Sequence, residues 1–494
     1  MNIISNNKIN FNDLEEKTFK YVMKLGRIVI QNELRMLDDT IKKYRDKNVF
    51  EVKDFQTTTI KTRLGEIEIS RRRYKMKVNE TIKYVYLLDE LMQMNESGQY
   101  SQSIIEMILR EITKKSYRET AKTISEDTDN TITHTAVRNI VIKLGEKINK
   151  LEDEKIKLYE AGKIEGDKKA EYIFCEHDGI YVKKQTSKKK NKKPRRSYGK
   201  GKKRKNGIEL KIAVIHEGKE KRYTNDYKLK DKTIVGTASK ASKLKEIEDM
   251  TIGTKYKEYK IKNIVINGDG ADWTGTIANG EKEIFQLDMA HIQKKIYTAV
   301  KDPEYLKQMQ QIVKTEKATD IFSLIYNYKV ELETDNKTKE LQDVEELEKY
   351  LKSNEKGLQR YQYKLGYTEE DLKEHIEDLP TLGSEESNMY CVCRNRMKKN
   401  RTSWSVYGAE ALLKVIMNKM NGTLENIISQ KAEQKIKEEL AERIPDPAKV
   451  KKVKQGKITY AGKYQIAENF IGSTKQYIID LLRSKKISEL NILN

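Results

Sequence analysis

Between residues 166 and 302 the chain alternates short apolar runs of β character with helical stretches. The runs are Tyr172-Ile-Phe-Cys175, Gly207-Ile-Glu-Leu-Lys-Ile-Ala-Val-Ile215, Ile264-Val-Ile266 and Glu283-Ile-Phe-Gln-Leu287. Alternation of this kind dictates a sheet covered by helices, an α/β domain. Two of the runs deliver an aspartate where the strand is expected to end. Asp178 follows the first run and precedes Gly179; Asp269 follows the third, within Asn267-Gly-Asp-Gly-Ala-Asp-Trp273. A strand-end aspartate is commonly a turn residue, and glycines such as those around Asp269 serve plain turns as well as close approach to a ligand. Asp272 competes with Asp269 but lies past the expected strand end.

A third acidic residue enters with Gly383-Ser-Glu-Glu-Ser387, where Pro380 and Gly383 break a charged helical stretch and open a new helix. Adjacent helical residues differ by about 100° in direction, so only one of Glu385 and Glu386 can aim inward. Glu386 shares its face with Met389, Cys393 and Met397 and is the better candidate. Hard divalent cations need oxygen ligands, and Mg²⁺ usually takes one or two carboxylates, leaving room for phosphate and water. Two such ions can clamp the attacking and leaving oxygens of a phosphodiester. Asp178, Asp269 and Glu386 are therefore candidate ligands for two Mg²⁺ ions, with Mn²⁺ as a substitute. Asp288 and His291 lie three residues apart on one face if a helix starts there. They are candidates to support the ligands or touch phosphate, or else a capping aspartate and a packed histidine. Trp273 and Trp404 are further candidates of the same kind.

Lys and Arg number 98 against 76 Asp and Glu, a formal net charge of +22 among 494 residues. Such a surplus suits a polyanion, whose counterions are released on binding, although AT-rich coding bias also inflates Lys. Clustering favours the first explanation. Lys183 to Lys205 is dominated by Lys and Arg, with Arg195, Arg196, Lys202, Lys203 and Arg204 as candidate DNA contacts. It cannot bury a core, and reads as a mobile loop acting as an electrostatic arm on DNA, or as a solvated insertion. Arg394, Arg396 and Lys398 sit just beyond Glu386, placed to neutralise an incoming strand or to solvate the helix end. Three cysteines exclude a disulfide framework or a four-ligand zinc site, and no apolar run reaches the ~20 residues of a membrane span. A signal-peptide h-region is also missing, so the expected location is cytoplasmic, at the nucleoid.

Six segments are expected. Residues 1–100 hold a helix over about 12–47 and a small β unit within Thr57 to Leu87 that carries Arg71-Arg-Arg73. Residues 101–165 resemble a helix-turn-helix: Ser116-Tyr-Arg-Glu119 has the form of a capping box, and Thr133 can cap a second helix. That helix leaves His134, Thr135, Arg138 and Asn139 free to meet a major groove, with Arg118 beside them on the first; a packed helical hairpin is the alternative. Residues 166–302 form the first part of the α/β core, 303–380 a helical insertion, 381–424 the Glu386 helix, and 425–494 a helical C-terminal region.

Taken as a set, Asp178-Gly, Asn267-Gly-Asp-Gly-Ala-Asp-Trp273, Leu287-Asp-Met-Ala-His291, Gly383-Ser-Glu-Glu-Ser387, Arg396-Met-Lys and Trp404-Ser-x-x-Gly408 resemble the ISLre2 family of bacterial insertion-sequence transposases, also catalogued as UPF0236. Leu64-Gly-Glu-Ile, Arg72-Arg-Tyr74 and Tyr117-Arg-Glu-Thr-Ala121 extend the resemblance over most of the chain. The resemblance implies an RNase H-like α/β catalytic domain with an all-α insertion, preceded by a mainly α DNA-binding region with a small β unit. It implies a DDE transposase with Asp178, Asp269 and Glu386 as the acidic triad, working on double-stranded DNA as a homodimer or larger oligomer. Relatives carry a Cys/His-type motif after the second aspartate; here His291 matches and the Cys does not. A structure-specific nuclease on the same fold and a non-catalytic DNA-binding regulator are the alternatives.

Overall fold

In the N-terminal segment apolar residues recur at three- and four-residue intervals, and they form helix α1 (Phe11–Tyr44), capped by Asn10 Oδ1, which accepts from the Asp13 amide at 2.9 Å. The computed structural model describes residues 10–78, 81–92, 94, 99–185, 207–223, 226–278, 280–374, 379–383, 393–398 and 402–428. These fall into two compact units, one up to Val137 and one from Arg138 onward. Among the described residues no helix is long and apolar enough to cross a membrane.

In the first unit, Leu34 and Leu37 of α1 pack on Ile60, Ile67 and Ile69 of an antiparallel sheet, with Leu88 of α2 (Leu87–Leu91) completing the core. The sheet runs β1 (Glu51–Thr62), β2 (Gly65–Val78), β3 (Thr81–Val85). It begins six residues earlier than the expected start at Thr57, because the half-buried positions Asp54, Gln56 and Thr58 are polar and hide the alternation. The arginine triplet at its centre is matched to carboxylates. Arg71 meets Asp89, Arg72 bridges Asp38 and Asp39 at 2.7 Å each, and Arg73 donates to Asp54 at 2.9 Å. Tyr86, Phe55 and Tyr84 lie 4.3, 4.6 and 5.1 Å from the three guanidinium groups. The triplet ties β2 to α2 through Asp89, to α1 through Asp38 and Asp39, and to β1 through Asp54.

Three helices follow, α3 (Gln102–Ile112), α4 (Tyr117–Thr128) and α5 (His134–Glu160). The capping box is formed in both directions: Ser116 Oγ accepts from the Glu119 amide at 3.2 Å, and the Glu119 carboxylate accepts from the Ser116 amide at 2.9 Å. Thr133 Oγ1 accepts from the Ala136 amide at 3.2 Å at the start of α5. Between the helices Asp129 adopts a left-handed conformation at φ 50°, and the Asn130 amide group donates to the carbonyls of Thr62 and Thr128. Arg118, His134, Thr135, Arg138 and Asn139 are all exposed.

The second unit is built on a five-stranded mixed sheet. In chain order its strands are β4 (Tyr172–Lys183), β5 (Gly207–His216), β8 (Thr233–Thr237), β9 (Asn263–Gly268) and β10 (Glu283–Leu287), and across the sheet they run β10-β9-β4-β5-β8. A small ribbon, β6 (Lys219–Tyr223) and β7 (Asp226–Leu229), interrupts the order. β5 is antiparallel to both β4 and β8, while β9 runs parallel to β4 and β10 parallel to β9. Asp178 does not close its strand as the sequence suggested: β4 continues to Lys183 because Ile180 and Val182 keep up the burial alternation.

Alternate residues of a strand point to opposite faces. Ile173 and Cys175 meet α6 (Ala241–Lys255) and α7 (Asp272–Ile277) through Leu244, Ile247 and Ile277. Phe174 and Val265 instead pack with Tyr361, Leu379 and Leu382. Beyond β10, helices α8 (Met289–Ala299), α9 (Pro303–Ile312), α10 (Ile321–Thr334) and α11 (Thr338–Ser353) close around Ile296, Met309, Ile325 and Leu351. Two short helices follow, α12 (Tyr361–Lys364) and α13 (Glu369–Glu374), and after a break α14 (Val406–Met420) and α15 (Leu424–Ile428).

Burial pushes the Asp38 carboxyl above its ordinary range and Arg72 pulls it back. Replacing Arg72 alone leaves that carboxylate buried without its partner, so Arg72→Met should destabilise the first unit by roughly 3–5 kcal/mol in denaturant unfolding. Arg72→Met combined with Asp38→Leu should recover most of the loss. Equal destabilisation by the single and double variants would contradict this account.

Candidate functional site

The parallel ladder between β4 and β9 sets the geometry. Glu176 pairs with Asn267 and His177 with Gly268, so the next residue on each strand is Asp178 and Asp269. Along β4 the side chains of Phe174, Glu176 and Asp178 share one face, and on β9 Val265 and Asn267 continue it. Asp178 is part-buried, and its Oδ1 accepts from the Gly179 amide at 2.6 Å. Its carboxyl is pushed up to about 6, first by burial and further by the charge of Asp269. The Gly179 amide, His291 and Arg394 act in the opposite direction. The structure thus brings Asp178, Asp269, His291 and Arg394 into one electrostatic neighbourhood.

Asp269 sits in a tight turn. Its Oδ1 accepts from the Ala271 amide at 2.9 Å, and its carbonyl accepts from the Tyr350 hydroxyl of α11 at 2.7 Å. Gly270, at φ +77°, is closed in by Leu287 and Tyr350, so a side chain there would be strained and crowded. Burial and the charges of Asp269 and Asp288 push the Tyr350 phenol well above its usual range, keeping it a hydrogen-bond donor. Sequence reasoning missed Tyr350: it lies in a charged helical stretch and nothing in its spacing points to Asp269.

Asp288 is buried and caps α8, accepting from the His291 amide at 2.9 Å and meeting His291 Nδ1 at 2.6 Å. The carboxylate fixes the imidazole's orientation and turns Nε2 away from itself. Capping and support of His291 are therefore one arrangement. Trp273 donates its indole N–H to Glu209 at 3.3 Å and lies edge-on to His177, whose Nε2 is 2.7 Å from Glu248. That assembly belongs to the opposite face of the sheet. Trp404 is buried, pairs its backbone with Lys183 and Gln185 at the end of β4, and donates Nε1–H to the Met397 carbonyl at 2.9 Å. It extends the sheet.

Arg394 and Lys398 are exposed, whereas Arg396 is buried with its guanidinium 5.3 Å from the Trp404 ring, which corrects its placement on a DNA-facing surface. The cause is local. Arg394–Lys398 form a turn of π-helix, and its wider spacing changes which residues point inward. Glu386, Glu385 and Cys391, the basic residues Arg195, Arg196, Lys202, Lys203 and Arg204, and the C-terminal region from 429 lie outside the described residues. Among the described residues no three His, Cys, Asp or Glu side chains gather closely enough to hold a metal ion. They supply two neighbouring carboxylates, the number that Mg²⁺ usually takes from a protein.

Beneath the aspartates lies a buried polar layer that the sequence did not reveal. Asn267 Nδ2 reaches Asp288 at 3.5 Å, Gln286 donates to Asn267 at 3.4 Å, and Gln286 Oε1 accepts from the Tyr361 amide at 2.9 Å. Glu176 takes part from β4. Its only sequence signal is an acidic residue on the core-facing side of an apolar strand.

The fold and this site define a class: a mixed α/β protein whose central sheet presents two mutually repelling carboxylates, one on a strand and one on the turn that follows its parallel neighbour. Residues 4–435 match the family described as "Uncharacterised protein family (UPF0236)", and the chain belongs to that family. Similar relatives are UPF0236 proteins of Caldanaerobacter subterraneus subsp. tengcongensis. Two are 26% identical over 435 residues, covering 84% of this chain and 79% and 75% of their own length. A third is 26% identical over 431 residues, covering 84% of this chain and 79% of its own. The name of the first joins four locus labels and that of the third joins eleven.

An aspartate held at about 6 in the folded chain, above its unfolded value near 3.8, carries a cost at neutral pH that fades as pH falls from 6 toward 4. Without divalent cations, Asp178→Asn should therefore be more stable than wild type at pH 7.5, by on the order of 2 kcal/mol. The advantage should vanish below about pH 4. Thermal unfolding across that range checks this, and a variant less stable than wild type at pH 7.5 would refute it.

Proposed function

We propose that this protein is a DDE transposase with an RNase H-like catalytic domain, which binds the ends of an insertion sequence and performs Mg²⁺-dependent strand cleavage and strand transfer. The observation that carries the reading is the parallel pairing of β4 with β9, which makes Asp178 and Asp269 neighbours. The mixed sheet, antiparallel through β4, β5 and β8 and parallel through β9 and β10, supports an RNase H-like assignment. Relatives whose single names join up to eleven locus labels are what a gene copied within one genome would give. The net charge of +22 suits a DNA partner.

In this reading Asp178, Asp269 and Glu386 hold the metal, which, when bound, polarises the phosphate and generates the attacking oxygen. The chain's own residues do the rest. Asp178 and Asp269 would hold it as carboxylates, and the repulsion that raises Asp178 would be eased by a cation. Tyr350 fixes the Asp269 backbone through its carbonyl. Asp288 orients His291 beside Asp178, where its imidazole can meet a phosphate oxygen. Arg394 adds positive charge at the same place. The exposed face of α5, with His134, Thr135, Arg138 and Asn139, enters the major groove of the element's ends, and at least two copies of the chain hold the two ends together.

Incubation of the full chain with DNA carrying the element's terminal repeats tests this. Mg²⁺-dependent nicking at the ends should fall about a thousandfold or more in Asp178→Asn, Asp269→Asn and Glu386→Gln, equivalent to roughly 4 kcal/mol of lost catalysis. End binding should persist. Wild-type nicking by Asp269→Asn would sink the assignment. Arg138→Ala should weaken binding to the ends by about 1–3 kcal/mol and erode the preference over random DNA, measured by competition at fixed salt. A uniform loss on all DNA would mean phosphate contact only.

A further inference from the structure

We propose that Glu176 is a positioning residue, clamping the Gly383 turn to the face of β4 that carries Asp178; the inference rests on the transposase reading and deepens it. Glu176 is buried at 6% exposure, as is His216 at 0%. Two donors converge on its carboxylate. His216 Nε2 lies 3.1 Å from Oε1, and the Gly383 amide donates to Oε2 at 3.0 Å. A carboxylate only accepts, so Nε2 is the donor of this pair, while His216 Nδ1 lies 3.0 Å from the Gly218 amide and 3.2 Å from its carbonyl.

An ionised carboxylate accepts on both oxygens, whereas a glutamine amide in its place accepts on one and would turn an N–H toward His216. The site therefore selects glutamate over its isostere. Phe174 stacks on the His216 ring at 5.3 Å and seals the clamp from water.

On the other side the turn is fixed by sterics. Gly383 has φ +87°, and a Cβ there would lie 2.3 Å from Asp288 Oδ1. The chain between these contacts is anchored as well: the Tyr361 hydroxyl donates to the Pro380 carbonyl at 2.8 Å, and Lys219 Nζ donates to the Thr381 carbonyl at 2.8 Å. Glu176 on β4 and Asp288 at the head of α8 thus hold Gly383 between them. Gly383 is three residues before Glu386 in sequence, and Glu176 is two before Asp178. One buried carboxylate therefore ties the entry to the third acidic residue to the strand that bears the first. It touches no substrate, and it acts through where it holds the chain.

The test uses the full-length protein with Glu176→Gln and, as a second variant, Gly383→Ala, which leaves Glu176 in place and disturbs the same turn. Three quantities are measured: binding to element ends, the Mg²⁺ concentration giving half-maximal nicking, and the Mg²⁺ concentration giving half-maximal thermal stabilisation. Residues that support metal ligands without touching the metal change affinity or activity by about 10–100-fold when replaced. Both variants should bind ends as wild type does and need about tenfold more Mg²⁺ or beyond in both Mg²⁺ readouts. If Glu176→Gln fails to fold, Gly383→Ala decides. An unmoved Mg²⁺ requirement, even with a lowered melting temperature, would make Glu176 a fold residue only and overturn the inference while leaving the transposase reading intact. Wild-type protein that neither takes up Mg²⁺ nor nicks would overturn both.

Discussion

Everything at the candidate site depends on two like charges being held side by side against their repulsion. The force that holds them is the backbone ladder of β4 with β9, whose bonds are indifferent to what the side chains carry. Ile173, Cys175 and Ile266 on one face and Phe174 and Val265 on the other bury the strands. That burial lowers the local dielectric and sharpens the repulsion. The fold therefore keeps the two carboxylates together at an electrostatic cost, which shows in the raised Asp178 carboxyl.

The layer below the aspartates extends the same principle. Glu176, Asn267, Gln286 and Asp288 are buried polar groups, each costly unless satisfied; Asn267, Gln286 and Asp288 satisfy one another and the backbone, and Glu176 meets His216 and the Gly383 amide. The helical stretch beyond β10 takes part as well as filling space. Tyr350 of α11 reaches the Asp269 turn, and Tyr361 reaches both Gln286 and the Pro380 carbonyl. A segment that reads as a charged insertion thus braces the loop carrying one of the two aspartates.

Much of this was legible in the chain. Capping chemistry is local and obeys simple spacing, so Ser116, Glu119 and Thr133 disclosed where α4 and α5 begin. The apolar run before Asp269 disclosed its strand. Other features depend on the fold and were hidden. Asp178 read as a strand end, yet the strand continues because Ile180 and Val182 have a core to meet. The partners of the arginine triplet, Asp38, Asp54 and Asp89, were hidden because they lie on three other elements. Arg396 read as surface because a π-turn cannot be told from an α-turn by composition. Glu176 read as nothing at all, since its two donors come from 40 and 207 residues away.

Those separations govern when the site can exist. The Gln185 side chain meets the Ser403 carbonyl across 218 residues, and the Glu176 clamp closes across 207. Contacts so distant along the chain form late, after local helices and hairpins have settled. During synthesis the β4 strand emerges long before the residues that complete its surroundings, and it must wait for them. A nascent or truncated chain therefore carries Asp178 and Asp269 without the frame that arranges them, so that the candidate site stays incomplete on the ribosome until the chain has passed Ser403.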